Sequence, residues 1–298
     1  MSLNGLSIGW IGAGKMGGPM SRNLIAAGGN VTVYDPVGAN VEAAVAAGAR
    51  AGTSNQALAE KADIVVSMIP NDAVLRAIAL GDHGILAAMG PGTTYLDMST
   101  VSPQASAEIS EEAVARGIGY VRAPVSGSTA LAEAATLTIM ASGPKAAFKQ
   151  CVPLFEALGA QNFYLGDSEQ ARYLKLVVNL LVGTTGAVLA EALTLGRKGG
   201  LDWQQMLDVI GVSAAASPYV QYNLAPLKER NFSALFTTEQ MVKDSRLIRD
   251  AGEATGVPLA IGQAMLQMFE DTIEAGYGEE NLTAAIKMLE SKSGLEEL

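Results

Sequence analysis

The chain has 298 residues, 49% of them hydrophobic and 17% charged, which is enough apolar material for two domains with sizeable cores and too much for a disordered chain. A net charge of −10 argues against a nucleic-acid surface, which needs clustered Lys and Arg. One cysteine and one histidine exclude an intrachain disulfide and leave no His/Cys cluster for a transition metal, so the expectation is a metal-free, cytoplasmic enzyme with a small-molecule ligand.

The first element read along the chain is a short apolar strand over 6–11, followed directly by Gly12-Ala13-Gly14-Lys15-Met16-Gly17. In a strand-turn-helix unit the first glycine permits the tight turn, the second lets the backbone approach a pyrophosphate, and the third lets helix and strand pack closely. The phosphates then sit on a helix N-terminus, whose unpaired N–H groups favour an anion without any basic side chain. A second strand over 31–34 ends at Asp35, about twenty residues on, where a carboxylate accepts hydrogen bonds from ribose hydroxyls and repels a 2′-phosphate. The expected cofactor is NAD, with NADP disfavoured.

Further strands over 64–69, 93–97 and 119–122 alternate with Ala-rich helical stretches, the rhythm of an α/β fold with a doubly wound parallel sheet. Thr53 with Gln56 reads as a capping box, and Ser102-Pro103 as an N-cap followed by proline at the first helical position. The loops after the strands, Pro70-Asn71, Met98-Ser99-Thr100 and Ala123 to Gly127, lie where open α/β sheets bind ligands.

Past residue 165 the strand signals stop. Asp167-Ser168-Glu169-Gln170 reads as a capping box that opens a helix from about 167 to 198, and helical patterns follow over 201–210, 239–255, 259–274 and 282–291. The expected domains are therefore 1–165, a Rossmann-like NAD-binding domain, and 166–298, an all-α domain joined to it by the long helix. Residues 176–195 are nearly apolar and long enough to cross a bilayer, but Asn179, three threonines, two glycines and Glu191 argue for a core helix that also meets a second subunit, in a homodimer or homotetramer. No membrane association is expected. On that helix Lys175 and Asn179 share one face, a costly pairing in apolar surroundings unless each finds a polar partner or a wet cleft. Glu191 reads as an ion-pair partner and His83 as a surface-loop residue.

Taken together, Gly9 to Met20, Ser126-Gly127 and Lys175 with Asn179 resemble the β-hydroxyacid dehydrogenases, the group of 3-hydroxyisobutyrate dehydrogenases and tartronate semialdehyde reductases, over essentially the whole chain. The family segment GxIGxGxMGxxM is matched at each defined position from Gly9 to Met20. The resemblance implies that Gly12, Gly14, Lys15, Met16 and Gly17 bind the cofactor with Asp35, that Ile69 and Pro70 run along its adenosine-ribose side, and that Thr100 of Asp97-Met98-Ser99-Thr100 places the nicotinamide. The family's DAPVSGG appears as Arg122-Ala123-Pro124-Val125-Ser126-Gly127-Ser128, with its first and last members changed. Ser126, Gly127 and Ser128 are thereby implied to receive a substrate carboxylate. Arg122 is either a second anion ligand or a strand-end arginine that reaches solvent.

The resemblance further implies Lys175 as general acid/base and Asn179 as its companion. Lys243, which follows Phe236 by seven residues, is implied to close over the nicotinamide. The implied reaction is hydride transfer between NAD and a small 3-hydroxycarboxylate or its semialdehyde. The alternatives are an imine reductase, in which the position of Lys175 usually holds another residue, and a nucleotide-binding module without catalysis; a 6-phosphogluconate dehydrogenase expects a longer helical domain.

Overall fold

The computed structural model describes residue 3 and residues 5–296, and two compact units divide it at Lys175/Leu176. The first unit opens with β1 (Ser7–Ile11), α1 (Gly17–Ala26), β2 (Asn30–Tyr34), α2 (Gly38–Ala46), β3 (Arg50–Ala51) and α3 (Asn55–Ala59). It continues through β4 (Ile64–Ser67), α4 (Asp72–Ala79), α5 (Ile85–Ala88), β5 (Thr94–Asp97), α6 (Pro103–Ala115) and β6 (Gly119–Arg122). The six strands form one parallel sheet in the order β3-β2-β1-β4-β5-β6, as the α/β rhythm predicts.

Side-chain alternation builds a core on each face of this sheet. Ile64, Val66, Leu96 and Val121 pack with Met20, Leu24, Leu154 and Phe155 on one side. Val65, Tyr95 and Tyr120 pack with Leu58, Leu75 and Ile109 on the other. Every residue of β4 and β5 is buried, which is why those strands read as continuous runs. The strand order reverses between β1 and β4, and at that switch point open α/β sheets leave a crevice beyond the strand C-termini.

The parallel sheet stops at β6, short of residue 165. After Pro124 come β7 (Val125–Ser126), α7 (Thr129–Glu133), β8 (Leu137–Ala141), α8 (Lys145–Leu158) and β9 (Gly159–Tyr164), with the three strands in a separate sheet of order β7-β8-β9. β7 is antiparallel to β8 and β9 parallel to it. Gly127, at φ 142°, reverses the chain, and four of the six residues of β9 are exposed without alternation, so no period-two pattern marks that strand.

Helix α9 (Gln170–Lys198) begins three residues later than its sequence pattern suggests and runs through the unit boundary. By length and composition it could cross a membrane, but 44% of its most apolar window is buried, with Leu176, Ala187, Leu189, Ala190 and Leu193 in the core of the second unit. The second unit adds α10 (Trp203–Val212), α11 (Pro218–Lys228), α12 (Thr238–Thr255), α13 (Ala260–Thr272) and α14 (Ala285–Lys292). Helix α11 has no counterpart in the sequence reading. Pro226 falls inside it, while Ser217 caps its start by accepting the Val220 N–H and Pro218 occupies the first turn.

Candidate active site

The glycine-rich turn is shaped by contacts that only glycine permits. Gly12 has φ 89° and donates its N–H to the Tyr34 carbonyl at 3.0 Å, and a Cβ there would lie 2.3 Å from the Met68 oxygen at the end of β4. A Cβ on Gly17 would lie 1.9 Å from the Gly12 oxygen, so turn and helix meet backbone to backbone. A Cβ on Gly14 would meet nothing within 4 Å, and the N-terminus of α1 has no side-chain cap. An open glycine before an uncapped ten-residue helix fits the pyrophosphate of a dinucleotide. Lys15 is exposed beside it and Met16 half-buried at the helix start.

Asp35 follows β2. Its carboxylate accepts the Ala13 N–H at 2.7 Å and the Val37 N–H at 2.8 Å, so it fastens the glycine turn from the neighbouring strand. A carboxylate has about four lone-pair sites, so two backbone bonds leave capacity for a ribose hydroxyl.

The loops after β4 and β5 are tied together by a buried polar network that sequence reasoning did not find. Ile69 N–H donates to Ser99 Oγ at 2.9 Å, and Ser99 Oγ donates to Asp97 Oδ1 at 2.7 Å. Ser67 also donates to Asp97, at 2.5 Å, and lies 2.8 Å from the Tyr95 hydroxyl. Arg172, in the first turn of α9, places its guanidinium in the centre of this network. It bonds Asp97 Oδ2 at 2.5 Å, the Ser99 carbonyl at 2.7 Å, the Tyr120 hydroxyl at 3.0 Å and Ser106 Oγ at 3.1 Å. Asp97 is fully buried and Arg172 1% exposed. Burial, reinforced by Asp97 and Tyr120, pushes the Tyr95 phenol well above its ordinary range. Burial raises Tyr120 too, against the pull of Arg172, so both phenols remain protonated donors.

Arg122, at the end of its strand, is turned inward rather than toward solvent. Its side chain is 2% exposed, pairs with Glu169 just ahead of α9, and stacks over the Tyr120 ring at 4.5 Å. It therefore does not reach solvent, and its charge is already engaged. Nearby, Ser142 Oγ accepts the Ala171 N–H at 3.1 Å and Gln170 Oε1 accepts the Ser168 N–H at 2.8 Å. The expected Asp167 to Gln170 capping box is thus divided between two residues. The box at Thr53 shifts by one, since Ser54 caps α3 by accepting the Ala57 N–H. Ser102 and Pro103 open α6 as the sequence predicts.

The implied carboxylate loop follows β6. Ser126 is half-buried in β7, Gly127 is exposed with its positive φ, and Ser128 precedes α7 without capping it through its side chain. Thr100 is half-buried and Pro70 exposed, each at the C-terminal end of its strand. Lys175 is half-buried, one turn beyond Arg172 on α9.

In the second unit Asn179, 5% exposed, donates Nδ2 to Asp244 Oδ2 at 2.5 Å. Asp244 is itself buried, and its other oxygen lies 2.6 Å from Lys243 Nζ. The partnership of Asn179 with Asp244 went unread because 65 residues separate the two. Phe236 packs against the core of this unit. Glu191 is exposed and makes no ion pair among the described residues, contrary to the expectation for it; His83 lies exposed in a loop. Cys151 is buried, and burial raises its thiol far above neutrality, which removes it as a nucleophile. No group of metal-ligating side chains occurs among the described residues.

Comparison with known proteins follows the division of the chain. A family model for the NAD binding domain of 6-phosphogluconate dehydrogenase matches residues 7–166, and one for the NAD-binding region of NADP-dependent 3-hydroxyisobutyrate dehydrogenase matches residues 170–289. The chain is 38% identical to 2-(hydroxymethyl)glutarate dehydrogenase of Eubacterium barkeri, over 97% of each sequence. It is 34% identical to the NAD-dependent L-serine dehydrogenase of Pseudomonas aeruginosa, over 96% of this chain and 99% of that one. Among solved structures, 3-hydroxyisobutyrate dehydrogenase of Mycobacterium tuberculosis with L-serine superposes with a TM-score of 0.86 at 28% identity, covering 97% of this chain and 99% of that one.

Proposed function

We propose that this chain, which belongs to the β-hydroxyacid dehydrogenase family and takes NAD as its cofactor, interconverts a small 3-hydroxycarboxylate and its semialdehyde, with Lys175 handling the hydroxyl proton. NAD supplies the hydride acceptor, and NADH the donor, at the nicotinamide C4. The observation that carries the reading is the station of Lys175 on α9. It stands one turn past Arg172, which is locked to Asp97 at the C-terminal end of β5, the ligand-binding edge of the sheet.

In the reductive direction the Lys175 ammonium polarises the substrate carbonyl and gives a proton to the forming alkoxide oxygen. In the oxidative direction its neutral amine takes the hydroxyl proton. Asn179, whose amide gives one N–H to Asp244 and has a second to offer, is assigned to the substrate oxygen by the family resemblance. Ser126, the Gly127 N–H and Ser128 receive the carboxylate, since hydroxyl and amide donors in a glycine-containing turn suit an anion. Arg122 reaches this site only indirectly.

On the cofactor side Gly12, Gly14, Lys15, Met16 and Gly17 frame the pyrophosphate, Asp35 takes the ribose hydroxyls and disfavours NADP, and Ile69, Pro70 and Thr100 line the nucleotide. The family resemblance assigns Lys243 to the nicotinamide end. The substrate is a small carboxylate, the protein works in the cytoplasm as a homodimer or homotetramer, and neither nucleic acid nor membrane takes part.

The test is absorbance at 340 nm with NAD and NADP against 2-(hydroxymethyl)glutarate, L-serine, 3-hydroxyisobutyrate, glycerate and 4-hydroxybutyrate, with glyoxylate and succinic semialdehyde in reverse. NAD-linked turnover of one hydroxycarboxylate or semialdehyde supports the reading. Silence across the panel with intact NADH binding favours the binding-module alternative, and turnover of cyclic imines alone favours imine reduction.

A further inference from the structure

Two ion pairs cross at the foot of α9. Asp97 and Arg122 are register partners on the adjacent strands β5 and β6, and both point to the face of the sheet that carries Tyr95 and Tyr120. Arg172 and Glu169 are three positions apart at the start of α9, about one helical turn. Asp97 takes Arg172, and Arg122 takes Glu169. Acid on one strand meets base on the helix, and base on the next strand meets acid on the helix. One such pair alone leaves the helix free to pivot about it, whereas two pairs at different points fix both its height and its rotation.

The segments joined by these pairs are the ones that carry the proposed chemistry. Asp97 precedes Thr100, and its carboxylate also holds Ser99, which in turn holds the Ile69 N–H. Arg122 precedes the Ala123 to Ser128 loop, and its backbone pairs in both directions with Ser142, whose hydroxyl accepts the Ala171 N–H of α9. Lys175 lies three residues beyond Arg172, a rise of about 4.5 Å along the helix. The position of its amine therefore follows the first turn of α9.

We propose that the crossed pairs Asp97–Arg172 and Arg122–Glu169 form a two-point clamp that sets Lys175 against the loops after β4, β5 and β6, so that Arg122, Glu169 and Arg172 are positioning residues for the proton transfer. The proposal rests on the role given to Lys175 above. It also explains why Arg122 can stand at the first position of the substrate motif without touching substrate: the charge there is matched by Glu169.

The test replaces one pair by apolar residues of similar size, Arg122→Met with Glu169→Leu. Exchanging a buried ion pair for packed hydrocarbon is often neutral for stability, and removing one charge of each sign leaves the net field at Lys175 nearly unchanged. The expected result is a melting temperature near that of the parent and an NADH Kd within about twofold, with kcat lowered about 10- to 100-fold, the scale of a misplacement of about 1 Å. Acetylation of Lys175, followed by mass spectrometry against exposed Lys61 as internal standard, should change in rate by several-fold. Retained kcat and an unchanged Lys175 labelling rate in the folded double variant would overturn the clamp. If the double variant does not fold, Glu169→Gln and Arg172→Lys are read by the same two criteria, each keeping most of the original shape. Should the parent turn over no substrate in the panel, the proposed reaction fails, and the labelling rate alone decides whether the pairs position Lys175.

Discussion

The first turn of α9 and the rest of the helix are seated by different means. Its first turn, in the first unit, is held by directional bonds: Arg172 reaches four partners and is almost wholly buried. From Leu176 onward, in the second unit, apolar packing dominates beside the one Asn179–Asp244 bond, and three glycines let neighbouring side chains approach closely. A Cβ on Gly183 would lie 2.5 Å from Met265 Sδ, one on Gly186 2.4 Å from Leu282 Cδ1, and one on Gly196 2.2 Å from Met206 Sδ. Hydrogen bonds to a guanidinium fix angle as well as distance and do not tolerate a change of chemistry. Glycine seats against side chains fix approach and do not tolerate a change of volume, although the flexible thioethers at two of them give way more readily than backbone. The part that carries Lys175 has the stricter fastening.

Substitutions at the glycine seats carry graded costs. The largest effect is expected at Gly17→Ala in the glycine turn, where the new Cβ meets the immovable Gly12 carbonyl at 1.9 Å. Overpacking of about 2–3 kcal/mol there should weaken NADH binding roughly 100-fold in a fluorescence titration. In the second unit the new Cβ of Gly183→Val meets the flexible side chains of Met265 and Met241, so calorimetry should show a loss of about 1–3 kcal/mol with NADH binding unchanged. Equal loss of NADH binding in both variants would contradict the distinction between a backbone seat and a side-chain seat.

The buried tyrosines give a smaller, pH-dependent effect. Tyr95 and Tyr120 have folded pKa values raised above the ordinary 10.0, so their contribution is fully present below pH 10 and is lost as pH rises toward the folded values. Above pH 10 the unfolded chain releases protons that the folded chain retains, and stability falls by up to about 1.4 kcal/mol per pH unit for each tyrosine. Tyr95→Phe should flatten that alkaline limb in urea titrations at pH 10–11, and an unchanged slope would count against burial as the cause. The smallest effect is expected at Asp35→Ala, which should narrow the preference for NAD over NADP severalfold. Because Asp35 also holds the Ala13 N–H, NAD affinity itself should fall, and a constant NAD/NADP ratio would leave Asp35 only the structural role.

What could be read from the sequence follows the range of the interaction. The glycine turn, Asp35, the runs of β4 and β5 and the cap at Ser102 lie within one strand-turn-helix unit, where spacing alone carries the information. That Lys175 and Asn179 share one helix face also follows from spacing alone. The partners of the network were not: Arg172 meets Asp97 across 75 residues, Arg122 meets Glu169 across 47, and Asn179 meets Asp244 across 65, with no periodicity to announce any of them. For Arg122 the sequence offered solvent or substrate, and the structure supplies Glu169. The three-stranded sheet was missed because β7 has two residues and β9 is mostly exposed, and α11 because Pro226 interrupts its pattern.

If Lys175 moves the substrate proton as proposed, its loss is read in kcat for Lys175→Ala on whichever hydroxycarboxylate the parent oxidises, with NADH binding followed in parallel. The expected result is an NADH Kd near that of the parent and a kcat lowered about 10²–10⁴-fold, the range of general acid-base catalysis. Turnover within a few-fold of the parent, with the cofactor still bound, would contradict it.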